Sequence, residues 1–305
     1  MTVSNSLLAA SSAQASDESA ARIAALEAEV SNLLAELDDL TLLYEVTTEH
    51  GEAVENQLAD ANLELQLTQR RLSEELTEAT NYIFSILPVP RKSGPRTRWV
   101  LVPSTELGGD SFGYHEIDSD HIAFYLLDVC GHGVGAALLS VTAINVLRSA
   151  ALPMTDFRDP GAVLSALNEA FPMEKQNNMY FTIWYGVHKR STGELRYASA
   201  GHPPSVLCRT GGEVLTLSTP GIAIGMMPDM VYRAKLGEIA PGDRLHIVSD
   251  GTFEVEIAPG EMLAFADFVK QLSVNEEPEL LLDWVRGING PGPLPDDFSL
   301  LTIDF

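Results

Sequence analysis

Basic side chains are scarce: 19 lysines and arginines stand against 43 aspartates and glutamates, a formal net charge of −24 over 305 residues. A phosphate backbone or an anionic membrane surface would be repelled by such a chain, which argues against nucleic acid or a membrane as partner. Cysteine is nearly absent too. Cys130 and Cys208 are too few for a disulfide framework and point to a reducing compartment. No stretch approaches the roughly 18 uninterrupted apolar residues that a membrane span needs. The opening MTVSNSLLAASSAQASDESA has neither a basic n-region nor a long apolar core. These absences together predict a cytoplasmic protein. What the chain does have is 45% hydrophobic residues, enough for the core of one ordinary domain with a sizeable appendage.

The pattern of those hydrophobic residues changes along the chain. Residues 1–20 are rich in Ser and Ala, lack apolar periodicity and read as disordered. From Ile23 a heptad register begins, with Ile23, Val30, Leu37, Tyr44, Gly51, Leu58, Leu65 and Leu72 at a, and Leu26, Leu33, Leu40 and Val54 among the d positions; it is strongest before Tyr44 and weaker around Gly51 and Thr68. A helix packed on its own domain would follow a 3.6-residue period and drift out of this register within a few heptads. A self-associating coiled coil over 21–88, including a junction helix, is therefore expected, giving a homodimer. The helix should stop at Pro88 and Pro90, because proline cannot continue the hydrogen-bond ladder.

From residue 89 to 305 short β-like runs take over, among them TRWVLVP, HIAFYLLDV, YFTIWYGVHK, ELRYASA, DRLHIVSD and FSLLTIDF. Helical stretches are predicted at about 134–150, 160–171, 262–271 and 278–287. Strands joined by hairpin-length turns, with helices in blocks, indicate an α+β fold with antiparallel sheets. Four carboxylates sit at strand ends or turns: Asp110 after Gly108-Gly109, Asp128 closing AFYLLD, Asp250 closing RLHIVSD, and Asp296 beside Asp297 before the last strand. A rigid sheet can aim a side chain from such a place while the adjoining loop stays open to solvent. Oxygen ligands of this kind suit Mg²⁺ or Mn²⁺. Taken singly, an Asp before Gly is an ordinary turn former. The Gly-Gly-Asp by itself fits equally well a cyclic-dinucleotide synthase of the GGDEF type.

The order of the motifs is more specific than any one of them. SILPVP, ELGGDSFGY, LLDVCGHGVGAALLS, VLSALN, MYFTIWYGV, GELRYASAGHPPSVL, IAIGMMPD, PGDRLHIVSDGTFEVE and PDDFSLLTI follow one another between Leu87 and Phe305. This series resembles the SpoIIE/RsbU-type serine phosphatases of the PPM (type 2C, metal-dependent) family. The GGDEF alternative loses ground because Ser111 stands where those synthases carry Glu. Departures from the phosphatase pattern are Cys130 in place of a common Ser, Gly113 where an acidic residue is frequent, and Thr252-Phe253 after the SDG.

The resemblance implies an α-β-β-α sandwich of two antiparallel sheets flanked by helices, preceded here by the long coil. It further implies that Asp110, Asp128, Asp250 and Asp296 coordinate two Mn²⁺ or Mg²⁺ ions, with Asp128 bridging and the Val129 carbonyl as a further donor. Asp296 aligns with the family's acidic position, and Asp297 is the alternative. The implied reaction is hydrolysis of a phosphoserine or phosphothreonine by metal-activated water, without a phosphoenzyme. The implied partner is a phosphorylated regulatory protein of the STAS type, an anti-sigma-factor antagonist. A catalytically inactive regulator with the same fold, dimerised by its coil, is the competing reading. His132 and His202, each beside Gly or Pro, are read as turn-stabilising, Met226 and Met227 as core or rim packing, and Cys130 as a small inert side chain near the site.

Overall fold

The computed structural model describes residues 3–274 and 277–305, with side chains from Asp17 onward. Most of the segment 1–20, expected to be disordered, falls outside the residues whose side chains are described. A single helix, α1 (Val3–Ile86), leads the chain. Contacts divide the protein into Met1–Ser73 and Glu74–Phe305. Along the first unit the heptad seam lies bare on the lone helix: Ile23, Leu26, Val30, Leu33, Leu37 and Leu40 are all more than half exposed.

The last turns of α1 belong to the second unit, and α1 ends at Ile86, two residues before Pro88. Leu87 is buried in the core, with Phe84 packed against the same cluster. The Thr80 hydroxyl donates to the carbonyl of Glu106 at 2.6 Å, and the Arg148 guanidinium donates to the carbonyl of Ile86 at 2.8 Å.

Beyond the proline stop come β1 (Arg96–Val102), β2 (Ser111–Glu116), β3 (His121–Val129), α2 (Val134–Arg148) and α3 (Pro160–Ala170). There follow β4 (Phe181–Lys189), β5 (Glu194–Ala200), β6 (Ser205–Cys208), β7 (Val214–Leu217), β8 (Lys235–Glu238) and β9 (Arg244–Val248). The chain closes with β10 (Glu256–Ala258), β11 (Glu261–Met262), α4 (Phe265–Val274), α5 (Pro278–Asn289) and β12 (Phe298–Asp304). Two five-stranded sheets form, in the orders β1-β12-β9-β6-β7 and β2-β3-β4-β5-β8, and every pairing in them is antiparallel.

Three apolar clusters define the layers. Leu126, Trp184, Leu245, Ile247 and Leu301 meet between the two sheets. Leu127, Tyr185, Ile144 and Leu164 join α2 and α3 to the outer face of the second sheet, and Val248, Leu300, Phe268 and Leu281 join α4 and α5 to the outer face of the first. The expected α-β-β-α sandwich is thus borne out. Because β3 is covered on both faces, it reads as a continuous apolar run rather than an alternating one, and Ile122 to Leu127 are all wholly buried. Asp159 caps α3, accepting from the amide of Gly161 at 2.9 Å, with Pro160 supplying a helical φ at the first turn.

The helix expected at 262–271 is found at Phe265–Val274. Glu261 and Met262 are taken instead by a hairpin with Glu256–Ala258. Strands β7 and β8, not anticipated from the sequence, are four-residue edge strands with mostly solvent-facing side chains, so they carry little apolar signal.

Candidate metal centre

Strands from both sheets deliver acidic residues to one mouth of the sandwich. Asp128 is the penultimate residue of β3, directly opposite Thr182 of β4. Asp250 follows β9, and Asp296 and Asp297 precede β12, which pairs with β9. A cavity of about 340 Å³ opens here, lined by Ser104, Asp128, Val129, Cys130, Gly131, His132, Tyr180, Thr182, Asp250, Pro295 and Asp296. The glycines of the turn after β3, Gly131 and Gly133, have φ of +87° and +88°, which lets the chain bend sharply into α2.

The neighbouring aspartates Asp296 and Asp297 have different surroundings. Asp296 is exposed and faces the cavity. Asp297 is 4% exposed and its carboxylate is already engaged. One oxygen accepts from the amide and hydroxyl of Ser104 at 2.7 and 3.0 Å; the other accepts from the amides of Gly109 and Asp110 at 2.7 and 3.3 Å. Asp297 therefore ties down the Gly-Gly-Asp turn. The two glycines are needed for the same reason. A Cβ on Gly108 would run into the Asp297 carboxylate, and one on Gly109 into the carbonyl of Val129.

Held in this way, Asp110 is 5% exposed, and its Oδ2 is buried with no hydrogen-bond partner. Burial first, then the charges of Asp128 and Asp297, raise its carboxyl well above the ordinary range, with the Ser299 and Ser249 hydroxyls opposing in part. Burial, followed by the charges of Asp250 and Asp296, pushes Asp128 up to about 7. Asp250 is pushed to about 6 by burial and by Asp296 and Glu254. In the absence of a counter-ion this mouth of the fold holds more negative charge than it can stabilise. An orphaned buried oxygen and strained carboxylates are what bound cations would relieve.

Among the described residues no three His, Cys, Asp or Glu side chains close round a single point. Mg²⁺ does not require that arrangement, since it keeps several waters and takes one or two carboxylates from a protein. The residues present therefore fit hydrated divalent cations.

The other residues singled out in the sequence fall into two groups. His132 is exposed on the cavity wall. His202 does not line the cavity: it is buried, burial pushes it down to about 4, and its Nδ1 lies 3.1 Å from the carbonyl of Pro203. The Cys130 sulfur accepts from the amide of Tyr180 at 3.2 Å. Met226 and Met227 are about half exposed, on the surface rather than in the core. Gly113 stands away from the cavity rim, buried beneath the Tyr125 ring. Sequence reasoning missed Ser104 and Thr182. The Thr182 hydroxyl lines the cavity, buried and without a partner. Its position facing Asp128 follows only from the β3–β4 register.

The profile of the SpoIIE family (Stage II sporulation protein E) matches residues 118–305. The chain belongs to the SpoIIE family. Asp128, Asp250 and Asp296 lie within the matched residues; Asp110 precedes them. The phosphoserine phosphatase RsbP of Bacillus subtilis (strain 168) is 26% identical over 155 residues, which cover 50% of this SpoIIE-family chain and 38% of RsbP. The chain thus spans well under half the length of that curated relative. The SiaA-PP2C domain of Pseudomonas aeruginosa superposes with a TM-score of 0.67 at 22% identity, over 78% of this chain and 98% of that one. RsbX in complex with magnesium gives 0.52 at 16% identity, over 70% and 98%. At these identities the two structures speak for the fold, and the PP2C sandwich expected from the motifs is the one found.

Proposed function

We propose that this SpoIIE-family chain is a metal-dependent protein serine/threonine phosphatase. The observation that carries the reading is the strand-end carboxylate set, with the partnerless Asp110 Oδ2 and an Asp128 pushed up to about 7, in a fold shared with PP2C domains. Asp110, Asp128, Asp250 and Asp296 would hold two Mn²⁺ or Mg²⁺ ions, Asp128 between them and the Val129 carbonyl adding an oxygen. The magnesium bound to RsbX agrees with this choice of ion. Such ions, when bound, supply a nucleophilic water near neutral pH and offset the charge of the phosphoryl group.

The chain's own residues then do the positioning. Asp297 fixes the turn that presents Asp110, and the rigid ends of β3 and β9 aim Asp128 and Asp250. The free Thr182 hydroxyl can donate to a phosphoryl oxygen or to an ordered water within the cavity. A dianionic phosphate would be repelled by these carboxylates alone, and bound cations would offset that charge.

The substrate we infer is a phosphoserine on a regulatory protein of the STAS type, in keeping with the phosphoserine phosphatase activity named for RsbP. Dimerisation through the exposed seam of α1 is proposed alongside it, because Leu and Val at a and d are stable only when paired. No helix of the described residues is long and apolar enough to cross a membrane, and we assign the chain to the cytoplasm. The test is hydrolysis of p-nitrophenyl phosphate and of a phosphoserine STAS protein by the full chain. Activity should require Mn²⁺ or Mg²⁺, vanish in EDTA and return when the metal is restored. Turnover undiminished by EDTA, or no turnover of either substrate with Mn²⁺, would sink the reading.

A further inference from the structure

The sandwich has a second mouth. Thr182, Trp184, Gly186 and His188 share the face of β4 that looks into the space between the sheets. Thr182 stands at the carboxylate cavity, and His188 lies six residues further along, about 20 Å away at the rise of an extended strand. The buried Trp184 fills the space between them.

Around His188 lies a separate cavity of about 450 Å³ whose walls include Pro95, Ile239, Pro241 and Phe305. That volume is within the range of small-molecule sites, and the lining is of their kind, apolar with a few polar groups. Its walls are fastened to one another, with the Ile239 amide donating to the Gly193 carbonyl at 2.7 Å and the Gly242 amide to the Phe305 carbonyl at 2.9 Å. The cavity is therefore preformed.

His188 is the buried polar side chain of this cavity. It is 8% exposed, its Nδ1 is buried without a hydrogen-bond partner, and its ring meets Phe305 edge-on at 4.8 Å. A buried polar atom left in this way is costly unless something pairs with it. Burial, and then the charge of Arg190, push the imidazole down to about 4, so at neutral pH it is uncharged and presents one donor and one acceptor. Arg190, on the rim, is matched by Glu116, both of whose oxygens accept from it at 2.6 Å. The cavity thus has no uncompensated charge to offer an ion.

We propose that this second mouth is a binding site for an uncharged aromatic molecule of one or two rings carrying a single hydrogen-bonding group. The rings would lie against Phe305, Pro95 and Pro241, and the polar group would pair with the His188 imidazole. The site is independent of the carboxylates and of the phosphatase reading.

Ligand-observed NMR on the full chain, with indole and benzene as probes, tests it. Indole should bind saturably with a Kd of about 1 mM, as befits a ligand of so few atoms. Thr192→Trp, at the rim, and Ile239→Trp, in the wall, should each weaken it at least tenfold by filling the space. His188→Phe should bring indole down to the affinity of benzene. Thermal melts identify any variant that fails to fold, and the rim variant stands if the wall variant does not. The proposal is overturned if indole shows no saturation up to 10 mM (roughly ten times that Kd), or if folded filled variants bind it like the wild type.

Discussion

Replacing Asp128 with Asn should destroy the activity and stabilise the metal-free protein. The wild-type carboxyl is pushed up to about 7 from an ordinary value of 3.8. At about 1.4 kcal/mol per unit the ionised form costs the folded state ~4 kcal/mol, and water entering the open cavity reduces this to about 2–3 kcal/mol. The sign follows from the direction of the shift. A group whose pKa is raised on folding favours the fold when protonated, and that advantage is lost as pH rises through 7. In EDTA at pH 8 the wild type therefore bears the full penalty and Asp128→Asn does not, so the variant should melt roughly 10 °C higher. At pH 5 the wild-type carboxyl is protonated in the fold, and the gap should shrink by more than half. Excess Mn²⁺ should raise the melting temperature of the wild type and leave the variant nearly unmoved, while turnover falls on the order of 100-fold. Melting curves at two pH values, with EDTA and with Mn²⁺, contain the whole test. A variant less stable than wild type in EDTA at pH 8, or one equally stabilised at both pH values, would refute the account of strained carboxylates relieved by cations.

Asp297→Ala and Asp296→Ala should separate cleanly: the first strips the acceptor from four donors, two of them buried amides, and should cost about 3 kcal/mol in denaturant melts, whereas the second removes a charge that raises Asp128 and Asp250, so it should leave the metal-free protein no less stable and abolish Mn²⁺-dependent turnover. Equal stabilities for the two would contradict the division of roles between them. The full chain should be a dimer in light scattering and a chain beginning at Glu74 a monomer; with the dimer intact, two residues inserted after Ser73 turn the coil by about 200° and four by about 400°. Differing turnover in those two insertions would show that the coil acts on the catalytic unit, and equal turnover that it only dimerises.

The layers of the fold were legible because each buried element carries its own pattern. The double-sided burial of β3 writes a run of apolar residues, α3 announces itself by Asp159-Pro160, and α1 ends two residues before a proline. Edge strands such as β8 write nothing of the kind, since their side chains answer to solvent and only their backbone answers to the sheet. The site divides along the same line. Strand ends and motif order single out Asp110, Asp128 and Asp250, and the resemblance prefers Asp296 to Asp297, but no local pattern gives a physical reason for that preference. Identical side chains at consecutive positions give no local reason for one to face solvent while the other accepts four hydrogen bonds from residues nearly two hundred positions away. That contact is made by bringing β12 between β1 and β9, and it explains in turn why two glycines precede Asp110: the turn must pass close enough to Asp297 for its amides to reach the carboxylate. The motif is thus one half of a pair whose other half lies at the far end of the chain. The same holds for Thr182 and His188, ordinary residues of β4 in sequence, which acquire meaning only from what the opposite sheet and its loops leave unpaired beside them.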